Sequence, residues 1–142
     1  MAFIIAILSG AAMSIQGVWN TGATKQTSVW IANTFIQFSA FVVCLLVWAC
    51  RDRQSFAKLL QVTPRYLLAG GVVGVFITFS VIVSMNQLGP AKAVMLIVIS
   101  QLIVAYLLEL FGLFGVEQSP FEVRKAIGMG LAIIGFVIFK WT

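Results

Sequence analysis

Charged residues divide this chain into long apolar runs. None occurs at positions 2–24, none at 26–49 and none at 66–91. A further uncharged run covers 93–108, and the last covers 126–139. A helix crossing a bilayer needs about 20 mainly apolar residues. The last run is short by that measure. Arg124, Lys125 and Lys140 flank it and can snorkel, and Trp141 suits the headgroup level. The pattern predicts an all-α integral membrane bundle of five transmembrane helices, at about 2–24, 28–50, 65–86, 90–111 and 121–141. A surface loop fills 51–64, and the whole of 1–142 reads as a single membrane domain.

The predicted boundaries carry local signals. Thr27-Ser28 suits the start of the second helix. Thr63-Pro64 fits an N-cap followed by proline at the first helical position. Ser119-Pro120-Phe121-Glu122 has the form of a capping box with proline at that same position. Gly89-Pro90 can end one helix and begin the next, and Gly112 and Gly115 suit the loop after span four. The amino-terminal run lacks a basic leader and is too long for a signal-peptide core, so an uncleaved first helix is expected.

Composition narrows the class. The chain is 61% hydrophobic and 9% charged, against about 25% charge in an average soluble domain. A water-soluble globular enzyme is excluded, because a chain this short could not bury so much apolar surface. Histidine is absent, which removes the commonest acid/base group and metal ligand. Cys44 and Cys50 lie in one apolar run and match neither a zinc site nor a disulfide framework. There is no phosphate-binding glycine motif, nucleophile elbow or CxxC, so no cofactor is expected. The net charge of +5 points to topology and lipid headgroups rather than nucleic acid. With five spans, Arg51, Arg53, Lys58, Arg65, Arg124 and Lys125 fall on the amino-terminal side. Lys25, Lys92 and Lys140 fall on the other. That bias predicts a cytoplasmic amino terminus and an outer carboxyl terminus. Loop 51–64 also carries Phe56, Leu59 and Leu60 and is expected to lie partly on the membrane surface.

Candidate chemistry lies in the polar residues inside the spans, which usually face a bundle interior or cavity. Ser9, Met13, Gln16 and Asn20 share one face of span one. Trp30, Asn33, Gln37, Phe41, Cys44 and Trp48 form a stripe on span two. Span three ends with Ser84, Asn86 and Gln87, and span four holds Ser100, Gln101 and Glu109. Glu109 is the acid placed inside a span, where it can take up a proton, bind a cation, or pair with Lys125 or Arg124. Asn33 and Gln37 serve equally well as interhelical hydrogen-bonding glue. Small residues form stripes at Ala6, Gly10 and Ser14, at Gly70, Gly74 and Thr78, and at Gly128, Ala132 and Gly135. Close helix packing is their favoured reading, with one face for a second subunit as the alternative.

Two blocks resemble the YdcZ-type half-length members of the drug/metabolite transporter superfamily. The first is Gln16-Gly17-Val18-Trp19-Asn20, followed by the polar region from Asn33 to Gln37. The second is Leu88-Gly89-Pro90-Ala91, then Ser100-Gln101, then Glu109-Leu110-Phe111-Gly112-Leu113-Phe114-Gly115. This chain has Ser100 for that family's glycine and Glu109 for its aspartate, which keeps a carboxylate. The resemblance implies half of a ten-helix transporter in the bacterial inner membrane. It further implies a homodimer, or a heterodimer with an oppositely oriented relative, moving a small organic solute or hydrophobic metabolite by alternating access. Gln16, Asn20, Asn33, Gln37 and Gln101 would then offer hydrogen bonds to the substrate, and Trp19 and Trp30 would stack on it. Glu109 would couple a proton or cation. The four-helix small multidrug exporters differ at the decisive place: they carry a glutamate in the first helix, where this chain has Gln16. A non-transporting membrane subunit, packed on another protein through its glycine faces, is the alternative from a different class.

Overall fold

The computed structural model describes residues 1–140, and among them every regular element is helical. Five long helices follow in order: α1 (Ala2–Gln26), α2 (Val29–Val47), α3 (Gly70–Leu88), α4 (Pro90–Phe111) and α5 (Val123–Lys140). Four segments are long and apolar enough to cross a membrane: Ala2–Gln26, Val29–Asp52, Arg65–Leu88 and Pro90–Phe111. α5 has 18 residues and carries Arg124, Lys125 and Lys140. Trp141, expected at the interface beyond it, lies outside the described residues. The helices expose large apolar side chains along their lengths, Phe3, Ile7, Phe35, Phe76 and Ile138 among them. Water cannot be the solvent for such surfaces, but hydrocarbon can.

Several predicted boundaries hold. Ser28 caps α2, its hydroxyl accepting from the Ile31 N–H at 3.2 Å. Gly89 separates α3 from α4 with φ of 79°, and Pro90 takes the first helical position of α4. Gly112 ends α4 in the left-handed region (φ 61°), its N–H donating to the Leu108 carbonyl. At both glycines a side chain would strain the backbone.

Two boundaries differ. The third helix does not begin at the Thr63-Pro64 cap. Pro64 has extended dihedrals, residues Arg65–Ala69 form a 3₁₀ turn, and α-helical geometry begins at Gly70. The Ser119 capping box does not form either, and α5 begins at Val123. Tyr106 replaces it: the Glu122 N–H donates to the Tyr106 hydroxyl at 2.9 Å, and that hydroxyl donates to the Glu122 carbonyl at 3.4 Å. The Ser119 N–H donates instead to the carbonyl of Glu109, at 2.9 Å. A phenol on α4 therefore holds the entry to α5, which local sequence rules could not show.

The chain divides into two compact units, one up to Gln87 and one from Leu88 onward. In the first, α1, α2 and α3 pack around Ala32, Asn33, Ile82 and Met85, all buried. Gly17 lets α1 and α3 meet closely, since a Cβ there would stand 2.5 Å from Met85 Cε. The expected glycine stripes behave otherwise: nothing stands within 4 Å of a Cβ placed at Gly10, Gly70, Gly74, Gly128 or Gly135. Packing within the chain does not use those faces at the glycines. In the second unit, α4 and α5 meet around Tyr106, which is buried and contacts Phe121 at 6.3 Å between ring centres.

Candidate functional site

The polar stripe expected on α2 divides between two sides of the helix. Asn33 is almost fully buried, at 2% exposure, and its side-chain amide donates to the Val75 carbonyl at 3.2 Å. Gln37 donates to Asn33 Oδ1 at 3.4 Å and to Thr78 Oγ1 at 3.3 Å. Trp30 stacks on Phe79, with ring centres 5.2 Å apart and planes at 17°. These three side chains tie α2 to α3. Thr78, Phe79 and the Val75 carbonyl are partners that no motif announced, although Thr78 closes the Gly70-Gly74-Thr78 stripe. Trp30 also borders a mainly apolar groove of about 430 Å³ with Ile31, Thr34, Phe35 and Phe38.

The other side of α2 faces α1 across an open groove of about 570 Å³. Gln16, Trp19 and Asn20 line it from α1. Phe35, Ser39 and Cys44 are among its α2 walls. The α2 members recur at helical spacing, as Phe35, Ser39 and Val43 and as Ile36, Ala40 and Cys44. That periodicity is present in the sequence, but most of its members are apolar, so nothing local marks them as a groove wall. No ionised side chain borders the groove. Ser39 already donates to the Ile36 carbonyl at 2.8 Å, leaving its oxygen able to accept.

Asn33 and Gln37 have intramolecular partners. The side-chain amides of Gln16 and Asn20 have none among the described residues, and both open onto the groove. An unpaired amide in hydrocarbon is costly, so such groups belong where water, a ligand or another chain can meet them. Gln101 is exposed on α4 in the second unit, and its side chain has no partner among the described residues. The structure thus brings Gln16, Trp19 and Asn20 together, turns Asn33, Gln37 and Trp30 towards α3, and carries Gln101 on a different unit.

Glu109 stands near the end of α4, half exposed. Lys125 Nζ lies 3.4 Å from Glu109 Oε2 and 3.3 Å from Glu122 Oε1. The same ammonium sits 5.7 Å from the centre of the Tyr106 ring. Of the two cations expected as partners, Lys125 is the one that pairs.

No curated protein and no solved structure matches the chain. The family model described as "Putative inner membrane exporter, YdcZ" matches residues 1–138, nearly the full length. With its succession of apolar helices long enough to span a bilayer, the chain is a multi-pass inner-membrane protein that belongs to the YdcZ family of the drug/metabolite transporter superfamily.

Proposed function

We propose that the chain is one subunit of a dimeric secondary transporter and moves a small, largely uncharged organic solute. The observation that carries this reading is the α1–α2 groove. It presents two unpaired amides, Gln16 and Asn20, beside the aromatic rings of Trp19 and Phe35. Amides fix the orientation of a hydrogen-bonding solute, and rings supply apolar contact, which is the usual division of labour in a small-molecule site. The absence of charged groups from its lining favours uncharged over ionic parts of a ligand there. The export role described for the family supports the same direction of reading. Asn33, Gln37 and Trp30 tie α2, one wall of the groove, to α3.

In this reading α5 spans with its flanking cations at the headgroups, and the amino terminus is cytoplasmic, following the distribution of Lys and Arg. A five-helix unit is half of an inverted-repeat transporter, so a second copy or an oppositely oriented relative completes the passage. Alternating access follows from one unit rocking against the other. Glu109 couples transport to a proton or cation, with Lys125 as its counter-charge in the resting state.

The test uses a native thiol. Cys44 lines the groove and is free. Only a thiolate in contact with water reacts with a charged, membrane-impermeant methanethiosulfonate reagent. In a Cys50→Ser background, Cys44 is expected to label, as are cysteines placed at 16 and 20. If all three stay inert while Ser55→Cys labels, the groove is filled by lipid or protein, and the scaffold reading replaces this one.

A further inference from the structure

The connection between α2 and α3 is ordered by a set of specific contacts. α2 passes into a π-helical turn, Trp48–Asp52, which ends at Arg53 in the left-handed region (φ 50°). Arg53 donates from its N–H to the Trp48 carbonyl at 2.9 Å and from Nε to the Ala49 carbonyl at 2.7 Å. Both bonds satisfy carbonyls that a helix end leaves without partners. The Trp48 indole N–H donates to the Gln54 carbonyl at 2.9 Å, and its ring meets Phe56 with centres 4.6 Å apart. Lys58 Nζ donates to Gln54 Oε1 at 2.6 Å. Ser55 then caps a 3₁₀ turn, Phe56–Gln61.

This segment turns two kinds of group outward together. Phe56, Leu59 and Leu60 are exposed, Leu60 by 85%. Arg51, Arg53, Lys58 and Arg65 are interspersed with them along the segment and are exposed as well, against the single acid Asp52. Among the described residues the salt bridges all involve Lys125, so none neutralises these four cations. The segment joins two stretches, Val29–Asp52 and Arg65–Leu88, that are each long and apolar enough to cross the bilayer. Chain continuity therefore places it at the membrane surface, where apolar side chains and cations are satisfied in one layer.

We infer that segment 48–65 is an interfacial anchor selective for anionic phospholipid headgroups. The folded-back Trp48 and the exposed Phe56, Leu59 and Leu60 enter the acyl boundary. Arg51, Lys58 and Arg65 hold the phosphates above them, while Arg53 is mainly committed to capping α2. Apolar insertion is indifferent to headgroup charge; the cations add the selectivity.

Trp48 can report on this directly. Trp19→Phe, Trp30→Phe and Trp141→Phe leave it as the sole tryptophan of the full chain. The protein is reconstituted in mixed vesicles of phosphatidylcholine and phosphatidylglycerol, with one or the other brominated on its acyl chains. At equal mole fraction, brominated phosphatidylglycerol is expected to quench Trp48 at least about twofold more strongly than brominated phosphatidylcholine. The preference should vanish in the Arg51→Gln/Lys58→Gln/Arg65→Gln variant, and also in the parent at about 1 M salt, where screening acts within about 3 Å. Quenching by both lipids should persist. The salt arm needs no variant at the cations, so it stands even if the triple substitution fails to fold. Equal quenching by the two lipids, no quenching by either, or a preference that survives both salt and the triple variant would each overturn the inference.

Discussion

A polar side chain inside a membrane helix serves one of two purposes here, and its partners tell which. Asn33 is buried and bonded to the Val75 carbonyl; the Gln16 amide opens on a groove and has no partner among the described residues. Asn33→Ala should therefore lower stability, by about 1 kcal/mol, between the average of about 0.6 and the maximum of about 1.7 kcal/mol for membrane hydrogen bonds. Gln16→Ala should leave stability within about 0.5 kcal/mol and abolish solute-evoked transport in liposomes. Thermal unfolding in detergent, measured beside the transport assay, separates the two. The reverse pattern would move the site to the α2–α3 face. Glu109 is a third case. Its pair with Lys125 is half exposed, and exposed pairs contribute at most about 1 kcal/mol. Glu109→Gln should cost little stability yet remove the pH dependence of transport. An unchanged pH profile would end the coupling role.

At the level of elements, the junctions are decided by different means. Ser28, Gly89 and Gly112 act locally and were legible as caps and breaks. The start of α5 is decided at a distance. Tyr106 reaches across from α4 and binds both backbone groups of Glu122. Tyr106→Phe removes those bonds while keeping the ring, at an expected cost of about 1 kcal/mol. Amide hydrogen exchange should then quicken around residues 122–126, and unchanged exchange would show that the junction holds without the phenol. The Ser119-Pro120-Phe121-Glu122 sequence has the right letters for a cap. It lacks the freedom to use them, because the Ser119 N–H is already committed to the Glu109 carbonyl.

For the whole molecule, the question is what covers the surfaces the chain leaves open. The glycine faces of α1, α3 and α5 have empty space where side chains would stand. That of α1 lies on a helix whose groove side is separately occupied by Gln16, Trp19 and Asn20. Small faces of this kind permit close approach of another helix. The dimer proposed above predicts that protein extracted in mild detergent has twice the chain mass of 15.5 kDa by light scattering corrected for detergent. A monomer active in transport would remove the dimer from the mechanism.

The sequence by itself determined the solvent, the class and the family. Long uncharged runs can be satisfied only in a bilayer, and they form helices there because every backbone group must find a partner within its own segment. The Gln16–Asn20 and Leu88–Gly115 blocks carried the likeness to the YdcZ family. It also supplied the candidate residues, and left Asn33 and Gln37 balanced between glue and binding. The tertiary structure decided which candidates meet. Gln16 and Asn20 on α1 and Asn33 and Gln37 on α2 are both amide pairs one helical turn apart, and periodicity alone cannot say which neighbour each will reach. Packing of α3 against α2 gave Asn33 and Gln37 their partners. The α1–α2 groove left the side chains of Gln16 and Asn20 without any among the described residues. That distinction rests on three-dimensional proximity between segments some 40 residues apart, which no local pattern encodes.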